Sequence, residues 1–178
     1  IGSETLTRYT DYEDRGSCIL FGDGAGAVVL QPTAQADKGV QYTVMHADGT
    51  GWDFIYIPAG GSGMPASSET VAGRQHYLKM RGRDVYKFAV EKMRWLMGDC
   101  MAACGLSPAD VDLIVPHQVN IRILESAATR HGFPMDKVYI NIDRYGNTSA
   151  ASIPIALDEA IRTGRVGAGS TVMLAAFG

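Results

Sequence analysis

The apolar positions of the chain repeat with a helical period in its second half. Between Asp84 and about Ala103 they recur every three or four residues, and most charged residues fall on the other face. This pattern predicts an amphipathic helix that ends at Gly105. Further along, β-type runs alternate with amphipathic segments. We expect, in order, strand Val111–Val115, helix Asn120–Arg130, strand Lys137–Ile142, a helix from about Ser149 to Thr163, and strand Ser170–Phe177.

The first half of the chain places turn signals between short apolar runs. Ser17–Leu30 is expected to form two strands joined by a tight glycine turn at Gly22–Gly26, and Val40–Ala47 a further strand. Gly60–Gly73 is rich in Gly and Ser and is expected to be a long exposed loop. With the later alternation, these elements predict an α/β domain in which helices cover a mixed five-stranded sheet.

Two polar side chains follow predicted strands. His117 leaves the apolar run that ends at Pro116, and Asn147 lies in the turn before a helix. Taken alone, a histidine at such a position is more often a buried structural residue, and an asparagine in such a turn more often has a turn or capping role. Because ligands bind beyond the carboxyl ends of strands in open α/β sheets, the pair is expected to meet at one sheet edge. Two uncharged N–H donors there could stabilise a developing oxyanion by roughly 3–4 kcal/mol each.

Composition narrows the classes of partner. The chain has 178 residues, enough for one domain, and a formal net charge of −3, so no general positive field attracts nucleic acid or an anionic membrane. No apolar run of about 18 residues predicts a membrane span. Basic residues nevertheless cluster locally. The cluster is either a solvated helix face or a site that binds the phosphates of a coenzyme or an acidic partner. Its residues are Lys79, Arg81, Arg83, Lys87, Arg122 and Arg130.

A nucleophile is missing from the pattern. Cys18 lies in a strand-like run, whereas Cys100 and Cys104 lie on the apolar side of the long helix, where cysteine behaves as a small hydrophobe. Two thiols on one helix without a nearby His are a poor zinc site, so no metal is expected. Three cysteines form no disulfide framework, which suggests a reducing, cytoplasmic location. No helix follows Gly22–Gly26, so that segment is not expected to hold phosphate.

Two long motifs resemble a known family. Pro116-His-Gln-Val-Asn-Ile-Arg-Ile123 and Asp143-Arg-Tyr-Gly-Asn-Thr-Ser-Ala-Ala-Ser-Ile-Pro154 are similar to the His and Asn motifs of β-ketoacyl-acyl-carrier-protein synthase III. Asp14-Arg-Gly16 with Phe21-Gly-Asp-Gly-Ala-Gly26 resembles the segment that opens the C-terminal half of that enzyme, and Ala175-Ala-Phe-Gly178 resembles its last strand. The resemblance covers nearly the whole chain.

The resemblance implies half of a thiolase-like fold and half of an active site. In the family the nucleophilic cysteine belongs to the N-terminal half, which this sequence lacks, as it lacks the glycine-rich tail expected after Gly178. The complete enzyme would move an acyl primer from coenzyme A to that cysteine and condense it with malonyl-acyl-carrier protein, without a cofactor. His117 and Asn147 would bind the malonyl thioester oxygen as it becomes an enolate. The isolated chain is expected to be inactive, and the family is dimeric.

Substrate-binding positions are also implied by the resemblance. Those for coenzyme A are Arg15, Gly16, Met80, Gly82, Tyr86 and Asn120, with Phe177 near the reacting centre. The implied carrier-protein patch is Lys87, Arg122 and Arg130. The bulky Arg81 and the long Gly/Ser-rich loop depart from the family pattern and affect expectations about substrate access.

Two other functions fit the same residues. The absent cysteine and the basic cluster are compatible with a noncatalytic domain that binds coenzyme A or a carrier protein. A related initiating synthase for a secondary metabolite is a further alternative. The sequence does not determine the primer chain length, because residues that close the acyl pocket are expected partly from the absent half.

Overall fold

The computed structural model describes residues 1–178 and contains six short β-strands and five α-helices. The strands are β1 (Gly2–Thr5), β2 (Asp23–Gly26), β3 (Ile55–Tyr56), β4 (Lys79–Met80), β5 (Leu113–Pro116) and β6 (Val172–Ala175). The helices are α1 (Ser68–Ala72), α2 (Gly82–Cys104), α3 (Ile121–His131), α4 (Ile142–Tyr145) and α5 (Ser152–Arg162). None of these helices has the length and apolar character needed to cross a bilayer.

The strands pair in twos, so the expected single five-stranded sheet is wrong. β1 pairs with β2 and β3 with β4, both antiparallel, whereas β5 and β6 are parallel. The predicted strand at Lys137–Ile142 makes only one bridge, from Val138 to Ile114. It does not extend further because the Asn141 N–H donates to the Gln118 side chain, at 3.0 Å, instead of to a neighbouring strand.

Two expectations for the first half of the chain are also wrong. Val40–Ala47 forms no strand, because its side chains contact α2: the Tyr42 hydroxyl donates to Asp99 at 2.7 Å, and His46 packs edge-on against Trp95. The segment predicted as an open loop, Gly60–Gly73, contains α1, which a capping box at its N-terminus stabilises.

The glycine-rich segment Gly22–Gly26 is a strand rather than the predicted turn. It contains the whole of β2, which pairs with β1 and packs against the start of α5. A Cβ atom on Gly26 would lie 2.8 Å from the Cβ of Pro154, and one on Gly24 would lie 2.9 Å from Ile155. The small residues are therefore required by close approach to a helix.

The parallel pair β5–β6 lies at the centre of the hydrophobic core, with helices on both faces. Ile114 faces one buried cluster, which α2 and α3 contribute, while Leu113 and Val115 face a second cluster with Ala156 and Ala160 of α5. Both faces of β5 are buried, as its uninterrupted apolar sequence requires. This packing fixes where β5 ends and therefore where the next residue emerges.

Helix boundaries in the second half agree with the sequence signals. α2 ends at Gly105, which has φ of 64°, and α3 ends at Gly132, with φ of 73°. Both glycines adopt the left-handed conformation that closes helices. The helix expected from Ser149 begins with a 3₁₀ turn, Ser149–Ala151, before α5 proper. The chain is thus α/β as expected.

Candidate active site

His117 is the first residue after β5. Its backbone N–H continues the ladder by donating to the Ala175 carbonyl at 2.8 Å, so the end of the sheet fixes its position. The residue is buried, with 8% of its surface exposed. Its ring meets Phe177 edge-on, with centroids 5.8 Å apart. The structure thus brings together two residues that the sequence analysis assigned to the reacting centre.

The imidazole of His117 is held in its neutral form. Burial lowers its pKa to about 4, because the charged ring would lose its hydration. Its Nδ1 lies 2.7 Å from the Oγ of Ser152, the first residue of α5. Its Nε2 has no protein partner, yet it is not enclosed by protein atoms. A neutral imidazole with one free nitrogen is available to hydrogen-bond a ligand.

Asn147 is held by backbone on both sides. Its N–H donates to Leu20 at 2.8 Å and its carbonyl accepts from Gly22 at 2.9 Å. Its side-chain Oδ1 accepts the N–H of Ser149 at 2.9 Å. This contact orients the amide so that the NH₂ group is the end without a protein partner. Two N–H donors therefore remain available to a ligand.

One turn anchors both candidate side chains. The turn Ser149–Ser152 gives a backbone N–H to Asn147 and a side-chain hydroxyl to His117. Sequence reasoning did not identify Ser149 or Ser152 as functional. The structure identifies Ser152 because it is polar and yet only 2% of its surface is exposed, a property that the sequence does not show.

A buried polar network supports the strand end next to His117. The side-chain amide of Gln118 donates to the carbonyls of Pro116 and Tyr139 at 3.0 Å, and its oxygen accepts from Asn141. Asn141 in turn donates to Glu159 on α5 at 2.8 Å. Every polar atom of the buried Gln118 side chain thus has a partner, which is the condition for a rigid polar network.

Glu159 fixes the helix that precedes Asn147. Its carboxylate accepts hydrogen bonds from Asn141, Arg144 and Tyr145, the last at 2.5 Å. Although burial opposes ionisation, these donors together keep its pKa below the ordinary value for Glu. The carboxylate therefore ties α4 to α5.

Four of the positions implied for coenzyme A lie on two segments, which the carboxylate of Asp11 connects. Arg15 and Gly16 are exposed on a turn, while Met80 lies in β4 and Gly82 begins α2. Asp11 is buried between them and pairs with Arg74 and, at 3.3 Å, with Lys79. A hydrogen bond from Arg74 lowers the pKa of Asp11 to about 2. Lys79, the residue before Met80, is thus engaged in an internal ion pair.

The implied residue Asn120 and the neighbouring Arg81 each have a local structural role. Asn120 caps α3, because its Oδ1 accepts the N–H of Arg122 at 2.9 Å. Arg81, which departs from the family pattern, pairs with Asp53 and Asp84 at the start of α2 and stacks over the ring of Phe54. Its guanidinium is therefore held by residues of this chain rather than left free over the neighbouring positions.

The basic cluster divides into paired and unpaired side chains. Lys79 and Arg81 form ion pairs within the chain. The side chains of Arg83, Lys87, Arg122 and Arg130 make no ion pair and are exposed. Tyr86, Lys87 and Arg130 line an open groove of about 540 Å³ between α2 and α3. These unpaired cations are available to an acidic partner.

The three cysteines are unpaired thiols. Burial raises the pKa of Cys100, which is the reverse of the shift that activates a nucleophilic thiol. Cys100 packs against the main core cluster, beside buried residues of α2 and α3. The structure thus places Cys100 in a structural role, as the sequence pattern predicted.

Comparison with known proteins matches this chain to one family. The family described as "3-Oxoacyl-[acyl-carrier-protein (ACP)] synthase III C terminal" matches residues 101–178, which include His117 and Asn147. The family described as "3-Oxoacyl-[acyl-carrier-protein (ACP)] synthase III" matches residues 1–49. Together the two matches cover more than half of the chain.

Individual relatives are similar to this chain over 99% or more of its length. The beta-ketoacyl-[acyl-carrier-protein] synthase III of Caldanaerobacter subterraneus subsp. tengcongensis is 49% identical over 178 residues, which are 54% of that protein. The crystal structure of the synthase III from Pseudomonas aeruginosa PAO1 has a TM-score of 0.88 at 34% identity, over 99% of this chain and 54% of that one. That from Aquifex aeolicus VF5 has a TM-score of 0.86 at 38% identity, over 99% of this chain and 52% of that one.

These likenesses confirm the expected α/β, thiolase-like fold. The chain spans about half the length of the curated relatives that it matches. The two motifs that carried the sequence resemblance lie within the C-terminal match. The chain belongs to the β-ketoacyl-acyl-carrier-protein synthase III family.

Proposed function

We propose that residues 1–178 form the C-terminal, thiolase-like domain of an initiating condensing enzyme of fatty-acid synthesis. The nucleophilic cysteine is then supplied by polypeptide outside these residues. Two facts support this assignment: the relatives are nearly twice as long as this chain, and the description of the family match over residues 101–178 names the C terminus. By this proposal the 178 residues alone are inactive.

The proposed reaction is a decarboxylative Claisen condensation. An acyl primer passes from coenzyme A to the cysteine, forming an acyl thioester. Malonyl-acyl-carrier protein then loses carbon dioxide, and the electron pair of the broken bond passes into an enolate. The enolate carbon attacks the acyl thioester carbonyl, and the cysteine thiolate leaves as the β-ketoacyl product forms. No cofactor takes part.

His117 and Asn147 stabilise the enolate in this proposal. The observation that carries it is their common anchorage: the turn Ser149–Ser152 holds both side chains, and each keeps an N–H end or ring nitrogen without a protein partner. A pKa of about 4 keeps His117 neutral at pH 7, so it acts as a hydrogen-bond donor rather than as a cation. Preorganised neutral donors stabilise charge that appears only in the transition state.

Substrates reach this site from two surfaces in the proposal. Arg15, Gly16, Met80, Gly82, Tyr86 and Asn120 bind coenzyme A, and Phe177 borders the reacting carbon. The unpaired Lys87, Arg122 and Arg130 receive the acidic surface of the carrier protein. The enzyme works as a cytoplasmic homodimer. The carrier-protein partner is supported by the names of the relatives, which contain it.

The test is a comparison of two half-reactions in the full-length protein. His117→Ala and Asn147→Ala should each retain acylation of the cysteine by the acyl primer and slow malonyl decarboxylation about 10²–10³-fold. His46→Ala is the control: His46 is an exposed histidine that packs against Trp95 of α2, and its loss should change neither step. Undiminished decarboxylation in either site variant would reject the assignment.

The same experiment separates an enzyme from a binding domain. A noncatalytic domain would bind coenzyme A or carrier protein without any acylation or decarboxylation, even in the wild-type polypeptide. The reading frame upstream of Ile1 gives an independent answer, because a cysteine at the start of a helix there is required for the enzyme.

A further inference from the structure

The hydroxyl of Ser152 has a single acceptor within reach. Its Oγ lies 2.7 Å from Nδ1 of His117 and 3.3 Å from the backbone nitrogen of Gln118. A backbone N–H can only donate, so Gln118 occupies a lone pair of the Ser152 oxygen. The Ser152 proton therefore has Nδ1 of His117 as its acceptor.

The nearby backbone carbonyls do not offer that proton another acceptor. The Thr148 carbonyl accepts from the Ala151 N–H at 3.0 Å, and the Ser149 carbonyl accepts from the backbone N–H of Ser152. No hydrogen bond joins the Ser152 hydroxyl to either oxygen, although the residue is buried. If Nδ1 carried a proton, the Ser152 oxygen would accept from it, and the buried hydroxyl proton would be left without an acceptor. A buried donor without an acceptor is costly, so this arrangement is disfavoured.

We propose that Ser152 is a positioning residue that sets the tautomer of His117. This inference rests on the proposed function. By donating to Nδ1, the Ser152 hydroxyl keeps the imidazole proton on Nε2, the nitrogen that has no protein partner. Only this tautomer presents an N–H to the thioester oxygen. The other tautomer would present a lone pair, which repels a developing oxyanion.

The turn supplies its own control for the test. Ser149 lies three residues before Ser152 and contacts Asn147 only through its backbone N–H. Ser149→Ala removes a hydroxyl from the same turn and leaves that contact in place. Ser152→Ala removes the donor to Nδ1, whereas Ser152→Thr keeps a hydroxyl at the same position.

The first readout is the protonation of the His117 ring, measured by ¹⁵N NMR of the full-length polypeptide with labelled histidine. The signal of His117 is assigned by its loss in His117→Gln. In the wild type and in Ser149→Ala, Nδ1 should have the shift of an unprotonated nitrogen and Nε2 that of a protonated one. In Ser152→Ala, Nδ1 should move toward the protonated shift. A protonated Nδ1 in the wild type would overturn the inference, whether or not the variants fold.

The second readout is malonyl decarboxylation by the same proteins. Ser152→Ala should slow it about 10- to 100-fold, with Ser149→Ala unchanged and Ser152→Thr close to wild type. An unchanged rate and ring spectrum in folded Ser152→Ala would overturn the inference and leave the roles of His117 and Asn147 intact. If the wild type acylates but never decarboxylates malonyl thioesters, the proposed function fails instead. The ring spectrum then still decides whether Ser152 sets the tautomer.

Discussion

Ser149 donates its backbone N–H to the side-chain oxygen of Asn147, at 2.9 Å, from a backbone φ of 48°. This is the left-handed region, which residues with a Cβ seldom occupy outside turns. Because the turn folds back in this way, the amide nitrogen of residue 149 points at residue 147. The orientation of the Asn147 amide thus depends on backbone geometry and not on the Ser149 side chain.

Glycine at position 149 should therefore be tolerated. Ser149→Gly removes the cost of the positive φ but adds freedom to the unfolded chain, so the free energy of unfolding should stay within about 1 kcal/mol of wild type. Ser149→Pro removes the N–H and imposes a negative φ, so it should destabilise the protein and slow decarboxylation. Urea denaturation checks the first expectation, and a large loss of stability in Ser149→Gly would contradict it.

Gly146, directly before Asn147, should tolerate no side chain. It has φ of 68° and ψ of −163°, and a Cβ there would lie 3.1 Å from the Leu20 carbonyl oxygen. Gly132 is the matched control, because it has φ of 73° but no atom within 4 Å of the same position. Gly132→Ala should cost about 1–2 kcal/mol. Gly146→Ala should cost clearly more, and equal losses in urea denaturation would contradict this account.

The burial of neutral His117 predicts a pH dependence of stability. Its pKa falls from about 6.5 in the unfolded chain to about 4 in the folded one. Between these values the unfolded state binds the extra proton. Stability is therefore complete above pH 6.5 and declines as the pH falls toward 4, by about 3 kcal/mol in total. His117→Gln should remove this part of the decline, measured by urea denaturation across the range. Parallel curves for the two proteins would show that His117 is not buried as a neutral ring.

Charge reversal at Arg122 should affect carrier-protein binding selectively. Arg122 is exposed on α3 and has no ion-pair partner in this chain. Arg122→Glu should weaken carrier-protein binding about tenfold. It should change neither the saturation of the enzyme by acyl-coenzyme A nor the rate of primer acylation. Arg162→Glu makes the same change in net charge on α5, where Arg162 pairs with Asp158, and should leave carrier binding unchanged. Equal losses for both substrates in Arg122→Glu would count against the patch.

Local periodicity predicted β5, which presents His117, but it did not predict α4, which precedes Asn147 in place of the expected strand. The apolar run before His117 and the turn signal at Gly146 predicted where His117 and Asn147 lie, because strand burial and turn geometry depend on adjacent residues. Val40–Ala47 was misassigned because its β-type composition reflects docking on α2, through Tyr42 and His46, rather than pairing.

Long-range contacts explain why the sequence analysis missed Ser152 and misassigned the glycines of β2. Ser152 contacts His117 from 35 positions away, so no local pattern separates it from a small residue that fills a helix interface. The glycines of β2 were interpreted as a turn for the same reason. Their partner is the first turn of α5, more than a hundred residues later. Both cases are decided by packing between segments, which periodicity does not encode.

The most direct test of the central claim is a crystal structure of the full-length protein with a malonyl thioester analogue that does not decarboxylate. The account predicts that the thioester oxygen lies about 2.7–3.1 Å from both Nε2 of His117 and Nδ2 of Asn147. A thioester oxygen bound by other groups, with His117 and Asn147 contacting different atoms or none, would contradict it.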